Sequence, residues 1–237
     1  RTDRVGRQRR WLDAMVAVRG PAVGMLQDVF VEDWCTATDE LVADPARPGS
    51  DQVGSDTVAI ACSGPDREQP RLWFAIVQAL ADADRTIELS SPYLVPPPML
   101  LFALQMAVAR GVRVRIHTNG PKAEAAVLYW AQRNFYRRML AAGIEILETV
   151  EDYNHSKLLV ADGKTVVVGS ANLDLRSADL NFEIAAVVVD SDAFAAEVLA
   201  TIERRAAGSR RVTIEDLPTN PLVRAIDGCC GLLAPLL

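Results

Sequence analysis

Aromatic residues, histidines, cysteines and long apolar runs are all scarce in this chain of 237 residues. Phe, Trp and Tyr make up 6% of the sequence, although hydrophobic residues make up half of it. A core with few aromatic rings and much alanine favours helix-rich α/β layers over a β-sandwich. The sequence has no apolar run of the ~20 residues that a membrane span requires. These features predict a packed α/β protein without a membrane-spanning helix.

The four cysteines do not form a disulfide framework. They are Cys35, Cys62, Cys229 and Cys230, which include no C-x-x-C pair. A chain of this length does not depend on disulfides to hold its core, so the set is typical of a reduced protein that faces the cytoplasm. Residues 1–10 are basic but are not followed by the apolar segment of a signal peptide, so we expect no secretory signal.

Positive charge is also in deficit. The chain contains 25 Lys and Arg residues against 31 Asp and Glu residues, which gives a net charge of −6. Such a balance disfavours general, charge-driven binding to nucleic acid. A local basic pocket is still sufficient to hold one phosphate group.

Patterns typical of strands and helices alternate along the chain. Apolar residues at helical spacing predict helices over 21–36, 70–83, 98–110, 122–142 and 192–207. Apolar runs and alternating patterns predict strands over 11–18, 57–62, 86–89, 112–116, 144–147, 156–161, 165–168 and 184–189. This alternation predicts an α/β layered fold.

The composition divides the chain into four parts. Residues 44–56 are rich in Pro, Gly, Ser and Asp and are the predicted linker. Residues 1–43 before it hold one strand and one helix, which cannot bury their apolar faces alone and must pack on something else. Residues 57–215 form the larger predicted domain. Residues 216–237 form an apolar tail, which either docks on the core, the interpretation we favour, or lies on a membrane surface.

Six chemically useful residues stand in one short segment, in the pattern H-x-K-x4-D-x6-G-S-x-N. They are His155, Lys157, Asp162, Gly169, Ser170 and Asn172. An imidazole can attack phosphorus or accept a proton, and an imidazolium can protonate a leaving oxygen. An ammonium group gives a compact positive charge to the phosphate oxygens. The segment therefore favours chemistry on a phosphodiester.

The spacing assigns a part to each of these residues. In a strand, His155 and Lys157 point to the same face and meet the same ligand. Gly169 lets the backbone approach closely, and Ser170 and Asn172 offer hydrogen-bond donors to a phosphate. Asp162 stands beside a glycine turn, where we expect it to fix geometry rather than attack.

Three residues outside the segment are further candidates. Glu183 could accept the second ring proton of a histidine and set its tautomer. Tyr93 is expected either at the mouth of the pocket or in the core. His117, the second histidine of the chain, ends a predicted strand, and we expect a structural role for it.

The segment resembles the HKD motif of the phospholipase D superfamily. The wider similarity is to bacterial cardiolipin synthases, through Gly20-Pro21, Asp33-Trp34, Ser91-Pro92-Tyr93, Gly169-Ser170-Ala171-Asn172 and Asn181-Phe182-Glu183. The resemblance implies a mixed β-sheet flanked by helices, together with the strand–helix edge of a preceding similar domain. It also implies phosphatidyl transfer in two steps through a phosphohistidine, without a metal or other cofactor. The implied place is the cytoplasmic face of a bacterial membrane, in peripheral contact.

The same resemblance assigns functions to named residues. His155, Lys157, Asp162 and Glu183 would be catalytic, and Gly169, Ser170, Asn172 and Tyr93 would bind a phospholipid substrate. The reaction implied is the conversion of two phosphatidylglycerols to cardiolipin and glycerol.

One feature departs from the family pattern. Family members carry two HKD motifs, whereas residues 1–36 resemble the end of a first half after its motif, and His117 lacks the pattern. The chain is therefore expected to supply one half-site, and a homodimer mate or a missing N-terminal half the other. The alternatives are a phospholipase D-like phosphodiesterase or nuclease that acts as a dimer, and an inactive lipid-binding fragment.

Overall fold

The computed structural model describes residues 10–42, 53–122 and 126–232. The helices are α1 Ala22–Thr38, α2 Arg71–Asp82, α3 Pro98–Ala109, α4 Ala126–Ala142, α5 Leu175–Asp179, α6 Asp192–Ala206 and α7 Pro221–Leu232. The strands are β1 Trp11–Leu12, β2 Thr57–Ser63, β3 Thr86–Ser90, β4 Arg113–Asn119, β5 Glu145–Thr149, β6 Tyr153–Asn154, β7 Leu158–Ala161, β8 Thr165–Gly169, β9 Glu183–Val189 and β10 Ser209–Val212. Strand and helix alternate, which confirms the predicted α/β class.

Eight strands form one mixed sheet in the order β10-β5-β4-β3-β7-β8-β9-β2. The pairs β3–β4 and β4–β5 are parallel, and the other neighbouring pairs are antiparallel. The helices α3 and α4 connect the parallel strands, a tight turn connects β7 to β8, and residues 170–182, which include α5, connect β8 to β9. The predicted mixed sheet flanked by helices is therefore confirmed.

The sheet is buried on both faces, as its apolar strands predict. Leu159, Ala161 and Val167 belong to the larger core, which is closed by α2, α3 and α4. Leu158 and Val160, which point the other way, belong to a second core closed by α6. α7 packs along α4.

The N-terminal unit meets the larger domain through strand pairing and side-chain contacts. β1 pairs in parallel with β6, so that Trp11 lies opposite Tyr153 and Leu12 opposite Asn154. Further along, Arg67 donates to Glu32 of α1 at 2.6 Å. Ala14 and Val16 pack against the second core, whereas α1 has no buried residue and leaves Phe30 63% exposed.

Several element bounds differ from those that the sequence predicts. The strand predicted over 11–18 is confined to Trp11–Leu12, and the strand predicted over 156–161 begins only at Leu158. The short elements β6, α5 and β10 had no clear pattern in the sequence. α7 forms within the predicted tail and docks on α4 through a bidentate ion pair from Arg133 to Asp227.

Some predictions fall on residues that the structure does not describe. They are most of the basic segment 1–10, the linker 44–56 up to residue 52, positions 123–125 of the predicted helix 122–142, and the tail beyond 232. In the ranges that the structure does describe, no helix combines the length and apolarity needed to cross a bilayer.

Candidate active site

Most of the candidate residues lie at one end of the strands of the sheet, which we call the site edge. β3 and β4 end at this edge, with Ser90 and Asn119. Because β7 is antiparallel to β3, Lys157 stands at the same edge, directly before β7. The antiparallel register then brings Gly169, at the end of β8, and Glu183, at the start of β9, to it as well. Side chains distant in sequence therefore meet at one end of the sheet.

His155 is held by the N-terminal segment of the chain. Its backbone N–H donates to the carbonyl of Leu12 at 3.2 Å. Nδ1 of its ring lies 2.6 Å from Oδ1 of Asp13, and the indole ring of Trp11 lies 4.9 Å from the imidazole. A carboxylate on Nδ1 places a proton there and leaves Nε2 with its lone pair free to react. The His155 side chain is 37% exposed, so a ligand can reach it.

Two arginines hold this N-terminal segment in place. Arg205 of α6 donates to the carbonyl oxygens of Leu12 and Asp13. Arg10 forms an ion pair with Asp152 at 2.8 Å. These contacts hold the backbone up to Asp13, whose carboxylate is itself 63% exposed.

Lys157 provides the cation of the site. Its Nζ donates to the carbonyl of His155 at 2.7 Å, so the ammonium lies beside the histidine. Burial lowers the pKa of Lys157 below its usual value, and the attraction of Asp13, Glu183 and Asp174 opposes that shift only in part. An ammonium that has already lost most of its water can bind a phosphate oxygen at low desolvation cost.

Glu183 holds Ser170 rather than a histidine. Ser170 Oγ donates to Oε2 of Glu183, and Asn181 Nδ2 donates to Oε1 at 3.2 Å. The same Ser170 oxygen accepts the N–H of Ile184 at 3.0 Å. The contact with the His155 ring that the sequence suggested for Glu183 is made by Asp13.

Asn172 has an unused acceptor in this group. Its backbone N–H donates to Ser177 Oγ at 3.0 Å. Its side-chain Oδ1 is buried and has no hydrogen-bond partner among the described residues. Asp174 caps α5 by accepting the N–H of Ser177 at 2.7 Å, and burial raises the pKa of this carboxyl. A buried acceptor without a partner is costly, and only a ligand group that donates a hydrogen bond, such as a hydroxyl, would satisfy it.

Gly169 is required by the packing of two strands. A Cβ at this position would lie 2.5 Å from Cβ of Ala185 and 2.6 Å from the carbonyl oxygen of Ile184. The close approach expected at Gly169 is therefore an approach to β9. It brings Ser170 within reach of Glu183.

Asp162 lies at the opposite end of β7 from His155 and Lys157. It lies five positions after Lys157 along extended chain, a span of about 16 Å. Its carboxylate accepts the N–H groups of Asp84, Arg85 and Thr86, each at 2.8 Å. Burial alone would raise its pKa, but these bonds outweigh burial and lower it. Asp162 thus fixes geometry, as we expect from its turn, and the structure does not bring it to the site.

Tyr93 contacts Tyr153, an aromatic residue that lies beside His155. Its hydroxyl lies 3.0 Å from the hydroxyl of Tyr153. The ring of Tyr153 lies 4.6 Å from Trp11 and 6.0 Å from His155. These rings form an apolar wall on one side of the imidazole.

The backbone before His155 is anchored by a buried amide. Asn119 Oδ1 accepts the N–H of Asn154 at 2.8 Å, and its Nδ2 donates to the carbonyl of Asn154 at 2.9 Å. Gln132 donates in turn to the carbonyl of Asn119 at 3.0 Å. His117 instead lies buried in β4, with Nε2 3.5 Å from Glu88, which agrees with the expected structural role.

Sequence reasoning missed Asp13 and Trp11. Both are more than 140 residues from His155 in the chain, so no local spacing links them to it. One signal was available. Asp13 and Glu183 each follow a hydrophobic residue and precede an apolar run that contains Ala and Val.

Together these residues suit the handling of a phosphate diester. They provide an oriented imidazole, an ammonium beside it, and the hydroxyl and amide of Ser170 and Asn172. Within the described ranges, no group of three His, Cys, Asp or Glu side chains could hold a metal ion.

Known structures with a similar fold are phospholipase D-like. The phospholipase D family member Nuc from Salmonella typhimurium matches with a TM-score of 0.56 at 22% identity, over 67% of this chain and 99% of that one. A phosphatidylserine synthase from Haemophilus influenzae matches with a TM-score of 0.64 at 15% identity, over 94% of this chain and 57% of that one. At these identities the likeness defines the fold, which is the phospholipase D fold.

The sequence comparisons define the family. The sequence model of the family described as "Cardiolipin synthase, PLD-like domain" matches residues 76–206, more than half of the chain. A cardiolipin synthase of Geobacillus sp. (strain WCH70) is 32% identical over 235 residues, which cover 96% of this chain and 46% of that protein. Cardiolipin synthase A of Pseudomonas aeruginosa (strain LESB58) is 36% identical over 206 residues, 87% of this chain and 41% of that protein.

The chain therefore belongs to the cardiolipin synthase family of phospholipase D-like proteins. It spans about half the length of the curated relatives that it matches.

Proposed function

We propose that this chain supplies one half-site of a phosphatidyltransferase that converts two molecules of phosphatidylglycerol to cardiolipin and glycerol. The family membership and the phospholipase D fold support this reaction class. The observation that carries it is the pair of His155 and Lys157, in which the imidazole is oriented by Asp13 and the ammonium donates to the backbone carbonyl of His155.

The reaction proceeds in two transfers at one phosphorus atom. A histidine nitrogen attacks the phosphorus of the first phosphatidylglycerol, and the bond to the glycerol oxygen breaks while the histidine of the other half-site gives that oxygen a proton. A hydroxyl of the second phosphatidylglycerol then attacks the phosphohistidine and loses its proton to the same partner histidine. Cardiolipin and free histidine result.

The residues of this chain have separate parts in these steps. His155 provides one of the two histidines, and Asp13 stabilises the imidazolium form of His155. Lys157 and the Asn172 amide hold the non-bridging phosphate oxygens. Ser170 is held by Glu183 and offers its hydroxyl to the same group, and the Tyr93–Tyr153 pair lines the apolar side.

The second histidine comes from outside this half-site. His117 is buried in β4, where its ring lies beside Glu88. A second copy of the chain, or a separate half with its own motif, provides the partner. We place the assembly in peripheral contact with the cytoplasmic face of a bacterial membrane, where the lipid substrate lies. The net charge of −6 agrees with a lipid rather than nucleic acid as the substrate.

Product analysis tests this function. The chain, alone and mixed with an N-terminal half of a curated relative, is incubated with phosphatidylglycerol vesicles, and the lipids are analysed by mass spectrometry. Cardiolipin with an equal amount of glycerol is the expected result. Phosphatidate instead of cardiolipin indicates a hydrolytic phosphodiesterase. Lipid binding without any product, in both mixtures, indicates an inactive lipid-binding chain.

A further inference from the structure

Helices α2, α3, α4 and α7 form one layer on the side of the sheet opposite α6. α2, α3 and α4 close the larger core, α3 lies between α2 and α4, and α7 packs along α4. We call the outward surface of these four helices the helical face. It contains an apolar stripe and an excess of positive charge, and neither is needed for the core.

The apolar stripe lies on α3. Met99, Phe102 and Met106 follow one another at helical spacing and are 43%, 64% and 44% exposed. Helix α3 contains no charged residue, and Gln105 is its single polar side chain. A surface helix normally turns polar residues to water. Exposed apolar residues that follow one another along a helix mark an interaction surface.

The charge of the helical face is opposite to that of the chain. The four helices contain five arginines, Arg71, Arg133, Arg137, Arg138 and Arg224, and two aspartates, Asp82 and Asp227, a net charge of +3. The whole chain carries −6. α6, on the other side of the sheet, combines three acidic residues with two arginines. Positive charge is thus concentrated on the side that also exposes the stripe.

A groove between α4 and α7 brings charge and apolar surface together. It has a volume of about 380 Å³, and Arg137 and Arg224 line it together with the ion pair of Arg133 and Asp227. Leu222 and Ile226 of α7 are exposed beside it. Two guanidinium groups outside that ion pair suit a phosphate head group, and apolar side chains at the rim suit acyl chains.

From this combination we propose that the helical face is the surface by which the protein lies on an anionic lipid bilayer. Apolar side chains lie next to exposed arginines in a chain that is otherwise acidic. This combination matches a bilayer, whose head groups are negative and whose acyl chains beneath them are apolar. A protein partner would need complementary acidic groups, whereas a second copy would bring the same arginines against each other at the two-fold axis.

The position of the stripe relative to the active site agrees with this orientation. Val95 donates its N–H to the carbonyl of Leu173, the residue after Asn172, at 3.0 Å. Helix α3 begins three residues after Val95, so Met99 lies close to the edge that carries the phosphate-binding group. This inference rests on the proposed function only in its choice of phosphatidylglycerol as the anionic lipid.

Vesicle flotation tests the proposal without reference to catalysis. The full chain is mixed with vesicles of phosphatidylglycerol and phosphatidylcholine, or of phosphatidylcholine alone, and the bound fraction is measured. We expect binding to the anionic vesicles that falls with salt. Phe102→Ser and the double variant Arg137→Glu with Arg224→Glu should each weaken it at least about tenfold.

Controls use changes of the same kind on other surfaces. Arg204→Glu reverses a charge on α6, and Leu41→Ser removes an exposed apolar side chain beyond α1. Both should leave vesicle binding unchanged. Equal binding by all variants overturns the proposal, as does equal binding to both kinds of vesicle.

Two further measurements distinguish membrane binding from catalysis and from dimer formation. The first assays transfer on short-chain phosphatidylglycerol that is dissolved as monomers, and Phe102→Ser should leave its rate unchanged. This assay reports the proposed function independently of vesicle binding. Analytical ultracentrifugation reports the mass of each variant. If Phe102→Ser converts a dimer to a monomer while vesicle binding is unchanged, the helical face joins two copies and the proposal fails.

Discussion

Oδ1 of Asp13 lies 2.6 Å from Nδ1 of His155, although 142 residues separate them in the chain. Asp13→Asn removes the negative charge and lets an amide N–H compete for the same ring nitrogen. The imidazolium is then no longer stabilised, and the other tautomer becomes accessible. We expect kcat for cardiolipin formation to fall by at least about tenfold, measured in the assembly with its second half-site.

Asp33→Asn is the matched control for that prediction. Asp33 is an exposed carboxylate on α1, in the same N-terminal unit. The Asp33→Asn variant should retain normal kcat. Unchanged activity in Asp13→Asn, in a protein that folds normally, would show that the N-terminal segment does not orient the histidine.

The Asp162 carboxylate connects the turn after β7 to the start of β3. Asp162→Asn keeps the shape and tolerates the left-handed φ of 54°, but it loses the charge and places an amide against backbone donors. We expect it to lower the free energy of unfolding by about 2 kcal/mol in urea titrations. Asp190→Asn, at an exposed residue with the same φ of 54°, should change it little.

The contribution of the Asp162 carboxylate to the free energy of unfolding should depend on pH in a defined direction. Its pKa in the folded protein is lowered from the usual 3.8, because three backbone bonds outweigh burial. Its stabilisation is therefore present above the unfolded pKa and is lost as pH falls through the folded pKa. The stability difference between wild type and Asp162→Asn should narrow below about pH 4. A constant difference between pH 7 and pH 3 would contradict this origin.

Lys157 should set an alkaline limit to activity. Burial lowers its pKa below the usual 10.5, so the ammonium loses its proton at a lower pH than a solvated lysine does. Activity should therefore decline as pH rises through that pKa. In Lys157→Arg the site stays charged, and a reduced activity should persist to higher pH. Lys164→Arg, in the turn at the far edge of the sheet, should keep the wild-type profile.

A substitution at Gly169 tests whether the close packing of β8 and β9 positions the residues of the site. Gly169→Ala places a methyl group 2.5 Å from Cβ of Ala185, so β8 and β9 must move apart. We expect a loss of about 1–3 kcal/mol in unfolding free energy, together with lower activity because Ser170 moves away from Glu183. Gly24→Ala, where no atom lies within 4 Å of the added methyl, should be neutral or stabilise α1 by up to about 1 kcal/mol. Normal stability in Gly169→Ala would contradict the packing.

Sequence patterns predicted those parts of the fold in which periodicity is strong. The helices around Leu72 and Leu100, and the strands that hold Leu159 and Val187, follow from apolar spacing and end at glycines or turns. α5 has five residues and β10 reads Ser-Arg-Arg-Val, too short and too polar for such a signal. These elements depend on tertiary contacts, such as the ion pair of Arg210 with the buried Glu148.

The candidate site was predictable only as far as its residues are close in sequence. His155, Lys157, Ser170 and Asn172 lie within 18 positions, and their chemistry is visible in the spacing. Asp13 reaches the same place only because β1 pairs with β6 and Arg205 holds the carbonyl groups beside it. The position of Asp162 at the opposite edge follows from the length of β7, which the motif does not reveal.

The rate of glycerol release from phosphatidylglycerol, with wild type or His155→Ala in the complete assembly, tests the central claim most directly. Each turnover releases one glycerol whichever histidine attacks phosphorus, so the rate reports the chemistry of the site itself. We expect His155→Ala to lower it at least about a hundredfold, because proton transfer or attack at this position is lost. Equal rates for the two proteins, with equal folding, would show that His155 does not take part in the transfer.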